Sequence, residues 1–190
     1  MTLKKIVLSC CAFLLLTGCA ATVDMAHKGP VRENKTERRW AVIQNDENIE
    51  TVILVNVRKA DPRLRRAHVS VVSFNGVVLL LGQVPTEDLR QKAATVASNV
   101  KDVRQVQNAL TVEPAISGSV RFYDGWLTTK IKTKMAFTPD IDSDSIKVIT
   151  ENGVVYLMGL ITQKDANKVA NIAQRTGGTQ RIVKAFEYVD

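Results

Sequence analysis

Few side chains in this sequence are suited to nucleophilic or acid–base chemistry. The three cysteines, Cys10, Cys11 and Cys19, all lie before residue 20. Of the two histidines, His27 lies in a stretch without hydrophobic periodicity, and His68 opens an alternating apolar segment. A histidine in such a segment is more often structural than a general base. These residues therefore give little support for a catalytic site.

Three aspartates, Asp140, Asp142 and Asp144, alternate before an apolar segment and could suggest calcium binding. The glycine and the distal glutamate of an EF-hand loop are missing, which favours a solvated acidic loop. The sequence also has no Gly-x-Ser-x-Gly, no phosphate-binding glycine loop and no histidine pair at metal-ligand spacing. We expect a protein that is not an enzyme and that has no cofactor and no metal.

Cys19 carries the strongest chemical signal. Lys4 and Lys5 precede the apolar run 6–16, which is too short to span a bilayer as a helix. The segment Leu16-Thr17-Gly18-Cys19 resembles the lipobox of bacterial lipoproteins. That resemblance implies transfer of diacylglycerol to the Cys19 sulfur, cleavage of a signal peptide over 1–18 and acylation of the new N-terminus. An ordinary secretory signal that happens to end in cysteine is the alternative.

The residues after Cys19 indicate a destination. Ala20 and Ala21 follow it, without the aspartate that signals retention at the inner membrane. By the lipobox rule the protein is anchored by lipid in the inner leaflet of the outer membrane and faces the periplasm. Each buried acyl methylene contributes about 0.8 kcal/mol to such anchoring. With Cys19 acylated, no cysteine is left to form a disulfide.

The formal charge of +7 becomes +5 on the side chains once Lys4 and Lys5 leave with the predicted signal peptide, and this basic balance restricts the partners of an exported protein. Nucleic acid is excluded by the compartment. The acidic partners that remain are anionic phospholipids, lipopolysaccharide phosphates and acidic protein surfaces.

Residues 19–44 are predicted to be the lipidated cysteine and a flexible tether, because they lack periodicity and contain a Gly29-Pro30 break. Contact of the basic tether with lipid phosphates and a merely solvated linker both remain open.

The rest of the chain is an internal repeat. Residues 75–82, Asn-Gly-Val-Val-Leu-Leu-Leu-Gly, return almost unchanged at 152–159, and the match extends on both sides. In each copy, Asn-Gly between two apolar runs predicts a hairpin. Apolar residues every fourth position predict a preceding helix, and an alanine-rich helix and a third strand follow. We predict an α+β protein with domains over 45–113 and 124–190, joined by a linker over 114–123.

The predicted order is helix, strand, strand, helix, strand, which gives a three-stranded sheet with two helices on one face. This order, the central Asn-Gly hairpin and the strand-ending glycines Gly82 and Gly159 resemble the BON domain, named for bacterial osmotic-stress and nodulation proteins. Two such domains behind a lipobox are similar to the dual-BON outer-membrane lipoproteins. The resemblance implies a protein that is not an enzyme, supports outer-membrane integrity, binds anionic phospholipid through its second domain and gathers at division sites.

The two copies differ in their first helix. Four residues of the second copy share a face roughly 120° from its core positions: Trp126, Lys130, Thr133 and Phe137, with Thr129 beside them. The aligned residues of the first copy are Asn48, Val52, Val55 and Lys59. Tryptophan favours the membrane interface, and each lysine near an anionic surface adds about 1 kcal/mol of attraction.

Two interpretations of this face remain open from the residues alone. Trp126 and Phe137 could pack on the first domain while the lysines stay solvated. The resemblance instead implies contact with phosphatidylglycerol or cardiolipin. The residues predicted to bind lipid are Trp126, Leu127, Thr129, Lys130, Thr133, Lys134 and Phe137.

The first helix of the first copy is apolar on more than one face, through Ile49, Val52 and Val55 among others. We therefore expect that helix to be buried in the joint between the two domains. The rival to lipid binding is an adaptor that recruits an envelope or cell-wall assembly protein through the helix of the second copy or through the sheet edges. A structural spacer without partners is the third possibility.

Overall fold

Two copies of one helix-and-sheet unit make up residues 40–189, the part of the chain that the computed structural model describes. The first repeat consists of α1 (Trp40–Ala60), α2 (Pro62–Arg66), β1 (His68–Phe74), β2 (Val77–Val84), α3 (Glu87–Ser98), β3 (Gln105–Asn108) and β4 (Thr111–Val112). The second consists of α4 (Gly118–Ala136), a short 3-10 turn (Ser143–Ser145), β5 (Ile146–Glu151), β6 (Val154–Ile161), α5 (Gln163–Gln174) and β7 (Arg181–Tyr188). The predicted signal peptide, Cys19 and most of the predicted tether lie outside the described residues.

The predicted α+β order of elements is confirmed in both repeats. The second strand is central in each sheet: β1 pairs antiparallel with β2, and β3 and β4 pair parallel with it. In the second repeat, β5 and β7 flank β6 in the same way. The last strand of the first repeat is split, because Leu110 turns into the core between β3 and β4.

Each hairpin turn is held by a buried carboxylate from the first helix of its own repeat. Asp124 accepts hydrogen bonds from the backbone N–H groups of Asn152 (2.8 Å) and Gly153 (2.9 Å). Asp46 accepts the equivalent pair from Asn75 and Gly76 at the same distances. A turn in which both central residues have positive φ leaves these N–H groups without partners in the hairpin, so the aspartate fixes helix to hairpin. Sequence reasoning missed this role.

The two repeats pack through their sheets. One face of each sheet is covered by its own helices, in two separate apolar cores. The other faces meet in a third core, which is built from Phe74, Leu79 and Leu81 of the first sheet and from Tyr156 and Met158 of the second. The order of layers across the described residues is therefore helices, sheet, sheet, helices.

The expectation that α1 lies in the joint is therefore wrong. Its core residues Ile49 and Ile53 face the sheet of its own repeat, and Val52 and Val55 remain more than two-fifths exposed. Glu50 of α1 does reach the second repeat, where it accepts a 2.7 Å hydrogen bond from Lys147. The contact between the two repeats is formed by apolar residues of the second strands, β2 and β6, and not by those of α1.

Two helices begin before the predicted domain bounds of 45 and 124. α1 begins at Trp40, inside the tether predicted over 19–44. α4 begins at Gly118, inside the linker predicted over 114–123, because the Ser117 hydroxyl caps it by accepting from the N–H of Val120. The connection between the repeats is thus short, and the linker predicted over 114–123 includes the first turn and a half of α4.

The additional short helix α2 follows from the Asp61-Pro62 pair. Proline suits the first helical position, and Asp61 accepts from the N–H of Arg63 at 2.8 Å. Hydrogen bonds from the Arg63 side chain and backbone lower the pKa of Asp61 to about 2. The cap therefore stays charged in all but strongly acidic solution.

Candidate functional site

α4 and Phe137, the residue that follows its last turn, present a row of exposed aromatic side chains. Phe122, Trp126 and Phe137 are 81%, 47% and 83% exposed. Their spacing of four and eleven residues places them on one side of a helix. No helix within 40–189 is long and apolar enough to cross a bilayer. Large apolar side chains that are exposed side by side on a folded protein indicate an interaction surface. We call this row and the polar residues between its members the aromatic face.

The core of the second repeat fixes the orientation of α4. Leu127, Ile131 and Met135 are fully or almost fully buried against the sheet, and Asp124 holds the hairpin. The opposite side of the helix therefore has to face outward. Leu127 was predicted to contact lipid, and this is wrong: it is 0% exposed because it belongs to the packed side of α4.

The Trp126 ring is held between two neighbours. The Tyr123 ring lies 5.4 Å away, centre to centre, and the Lys130 ammonium lies 4.5 Å from the Trp126 ring centroid. Tyr123 in turn packs on Gly178, where an added Cβ would lie 2.4 Å from the Tyr123 hydroxyl. The tryptophan is thus supported by side chains from its own helix and by the loop that precedes β7.

Polar residues fill the gaps of the aromatic face. Thr129 donates to the carbonyl of Gly125 at 3.0 Å, and Thr133 and Lys134 are exposed. Within the described residues, none of Lys130, Lys132 and Lys134 has a carboxylate within salt-bridge distance. The structure therefore brings together six of the seven residues predicted as a lipid-binding site, all except Leu127.

Phe122 is the member of this surface that sequence reasoning missed. It was assigned to the linker, although it stands four residues before Trp126 and five after Ser117. A serine before a possible helix is a common N-cap, and that signal could have extended the helix back to include it. With Phe122, the aromatic face runs over about four helical turns.

The corresponding face of α1 has a different chemistry. Asn48, Val52 and Val55 replace the residues of α4, and Glu47 lies on the same helix. No aromatic residue follows Trp40 on α1, and Trp40 is its first residue, 73% exposed. The combination of aromatic and basic side chains therefore belongs to the second repeat.

His68 lies where the two repeats meet. Its Nε2 is 3.5 Å from Glu151, whose carboxylate also accepts a 2.7 Å hydrogen bond from Gln83. The Nη1 of Arg121 is 3.4 Å from the histidine Nδ1. These contacts link the first repeat to the second, which is a structural role. His27 lies outside the described residues.

In the loop that contains Asp140, Asp142 and Asp144, an aspartate side chain forms hydrogen bonds within the loop itself. Asp142 accepts from the N–H of Asp144 and caps the 3-10 turn. Among residues 40–189 no group of three or more metal-ligating side chains is placed to hold a metal ion. The Asp142 carboxylate therefore takes part in local hydrogen bonding within the loop.

The family and sequence comparisons with known proteins agree with the fold. The BON domain family model matches residues 45–114 and 123–190. The chain is 37% identical over 188 residues to the outer membrane lipoprotein DolP of Haemophilus influenzae, covering 99% of this chain and 97% of that protein. It is 32% identical over 145 residues to a 21 kDa hemolysin of Actinobacillus pleuropneumoniae, covering 76% and 75% of the two chains. Among solved structures, the C-terminal domain of CdsD from Chlamydia trachomatis matches with a TM-score of 0.30 and 17% sequence identity. The match covers 76% of this chain and 67% of the CdsD chain.

Two BON domains, each a hairpin and a parallel third strand beneath two helices, define the class of protein. The chain belongs to the BON-domain family, as a dual-BON outer-membrane lipoprotein of the DolP type. Its role is accordingly associated with the outer membrane.

Proposed function

We propose that this lipoprotein binds anionic phospholipid through the aromatic face of α4, while acyl chains on Cys19 anchor it to the periplasmic side of the outer membrane. The observation that carries the proposal is the exposed row of Phe122, Trp126 and Phe137 beside lysines that, among residues 40–189, have no carboxylate within salt-bridge distance. Aromatic side chains suit the boundary between headgroups and acyl chains, and ammonium groups suit lipid phosphates.

The expected strength of this contact is modest. Three lysines near an anionic surface contribute about 1 kcal/mol each, and that attraction weakens with salt. A lipid anchor on the same chain removes the need for tight binding, because it raises the local concentration of the face at the membrane. Occupancy then depends on local lipid composition and rises where phosphatidylglycerol or cardiolipin is enriched. Through this dependence the protein would gather at division sites and support outer-membrane integrity.

Replacing Trp126 by glutamate is expected to weaken liposome binding at least tenfold. A carboxylate at this position removes the interfacial ring and repels phospholipid headgroups. The measurement is flotation of the chain from Ala20 onward with liposomes that contain or lack phosphatidylglycerol. This version omits the proposed anchor and retains every described residue, so binding reports on the folded domains alone.

Asn48→Glu is the matched control. Asn48 is the aligned position on α1 and is exposed, so the substitution adds the same charge to the equivalent helix. It is expected to leave flotation unchanged. Equal binding by the Trp126→Glu variant and the parent, with circular dichroism showing both folded, would contradict the proposal. If liposome binding were absent throughout and an envelope protein bound the parent but not the variant, the adaptor function would replace it.

A further inference from the structure

β7 leaves one edge of the second sheet open. It is eight residues long and, within the described residues, pairs only with β6. The N–H of Val189 points to β6, where it donates to the carbonyl of Ile161. Since this direction alternates along a strand, Ile182, Lys184 and Phe186 present their N–H groups to the outer side. Such an edge can accept another strand.

A groove runs along the first half of this edge. It has a volume of about 440 Å³ and lies between β7 and the neighbouring helix α5. The side chains of Asn167, Asn171 and Gln174 extend along the helix side of the groove and are exposed. A groove between an edge strand and a helix is the geometry in which several domains bind extended peptides, with main-chain bonds for affinity and side chains for specificity.

The first repeat closes the equivalent place. There the last strand is interrupted between β3 and β4, and the side chain of Asn108 donates a 2.9 Å hydrogen bond to the carbonyl of Arg90 on α3. The residue aligned with Asn108 is Lys184, which has no such bond to α5 and is exposed. The second repeat therefore has both a continuous edge and an unbridged groove.

The charge of this edge indicates which kind of peptide strand could bind there. Lys184 and Arg181 line the groove, and none of its lining residues within 40–189 carries a carboxylate. Glu187, further along β7, is paired with Arg104 at 2.8 Å. A lysine on an edge strand opposes pairing with neutral or basic strands. An acidic strand would instead gain from it.

We propose that the second repeat binds an extended acidic peptide segment of another protein, which adds as a strand to β7 in the groove beside α5. The chain's own segment before α1 is unsuited, because residues 20–39 carry more lysine and arginine than aspartate and glutamate. This site is separate from the aromatic face of α4 and does not depend on lipid binding.

The test is selection of decapeptides from a random phage-displayed library against the chain from Ala20 onward. The recovered peptides are expected to be rich in aspartate and glutamate. They should bind at micromolar concentration and shift the amide resonances of Ile182, Lys184 and Phe186. A library that yields no binder above background, or binders without acidic enrichment, would overturn the proposal.

Three substitutions at one position separate charge from strand pairing. Lys184→Gln removes the charge and is expected to weaken peptide binding a few-fold. Lys184→Pro removes the same charge and also the outward N–H, and should weaken it about a further tenfold. Lys184→Glu keeps the N–H and reverses the charge, which tests the site even if the proline variant does not fold. Unchanged binding by Lys184→Glu would also overturn the proposal, whereas Trp126→Glu is expected to leave peptide binding intact.

Discussion

Gly82→Ala is expected to destabilise the protein by more than about 3 kcal/mol. A Cβ at this position would lie 2.0 Å from the carbonyl oxygen of His68 on the adjacent strand β1, and Gly82 has φ of +115°. Neither the backbone clash nor the dihedral can be relieved by rotating a side chain. Urea denaturation followed by circular dichroism measures the loss as a lower midpoint.

Gly125→Ala is the matched control for this change. Gly125 lies on the outer side of α4, where an added Cβ meets no atom within 4 Å. Alanine is favoured over glycine inside a helix, so this variant is expected to gain about 0.5–1 kcal/mol. A Gly82→Ala protein as stable as the parent would show that the first two strands do not approach each other as described.

The second large effect is expected for Asp124→Ala, at about 2–4 kcal/mol of lost stability. The substitution leaves the N–H groups of Asn152 and Gly153 without their acceptor, at a place where Asp124 is 3% exposed. It also removes the polar link that fixes α4 to its hairpin. The free energy of unfolding from urea titration is the quantity to compare.

Asp144→Ala serves as its control, because the Asp144 side chain is exposed and accepts no hydrogen bond among the described contacts. Its loss is expected to stay within about 0.5 kcal/mol. If both aspartate variants unfolded at the same urea concentration, the proposed role of Asp124 in holding the turn would be incorrect.

The order of elements could be predicted because its signals are local. The Asn-Gly turns require only that both residues adopt positive φ, and they do so in both repeats. The spacing of Leu127, Ile131 and Met135 defines one helical side whatever that side packs against. Because both signals recur at a fixed offset along the chain, the prediction for each copy supports the prediction for the other.

The joint could not be derived in the same way, since it depends on which of several apolar surfaces meet. Valines on more than one face of α1 led to the prediction that this helix lies between the domains, yet two of them, Val52 and Val55, are exposed. The more informative signal was β2, in which all eight residues from Val77 to Val84 are buried. A strand that is apolar on both sides belongs to a sheet covered on both faces, one by helices and one by the other sheet.

In the candidate site, too, one part could be predicted from the sequence and another part could not. Its helical face could be located from the spacing of Trp126 and Phe137, because helix geometry is regular. Leu127 was wrongly included although its spacing puts it on the packed side. Phe122 was left out because the start of α4 depends on the Ser117 cap, a single local hydrogen bond.

The most direct measurement is tryptophan fluorescence of the chain from Ala20 onward, carrying Trp40→Phe, during titration with liposomes. Trp40 and Trp126 are the two tryptophans of the sequence, so this version reports on α4 alone. We expect a blue shift with liposomes that contain phosphatidylglycerol, none with neutral liposomes, and loss of the shift at high salt. An emission maximum that stays constant with every lipid composition would contradict lipid binding by the aromatic face.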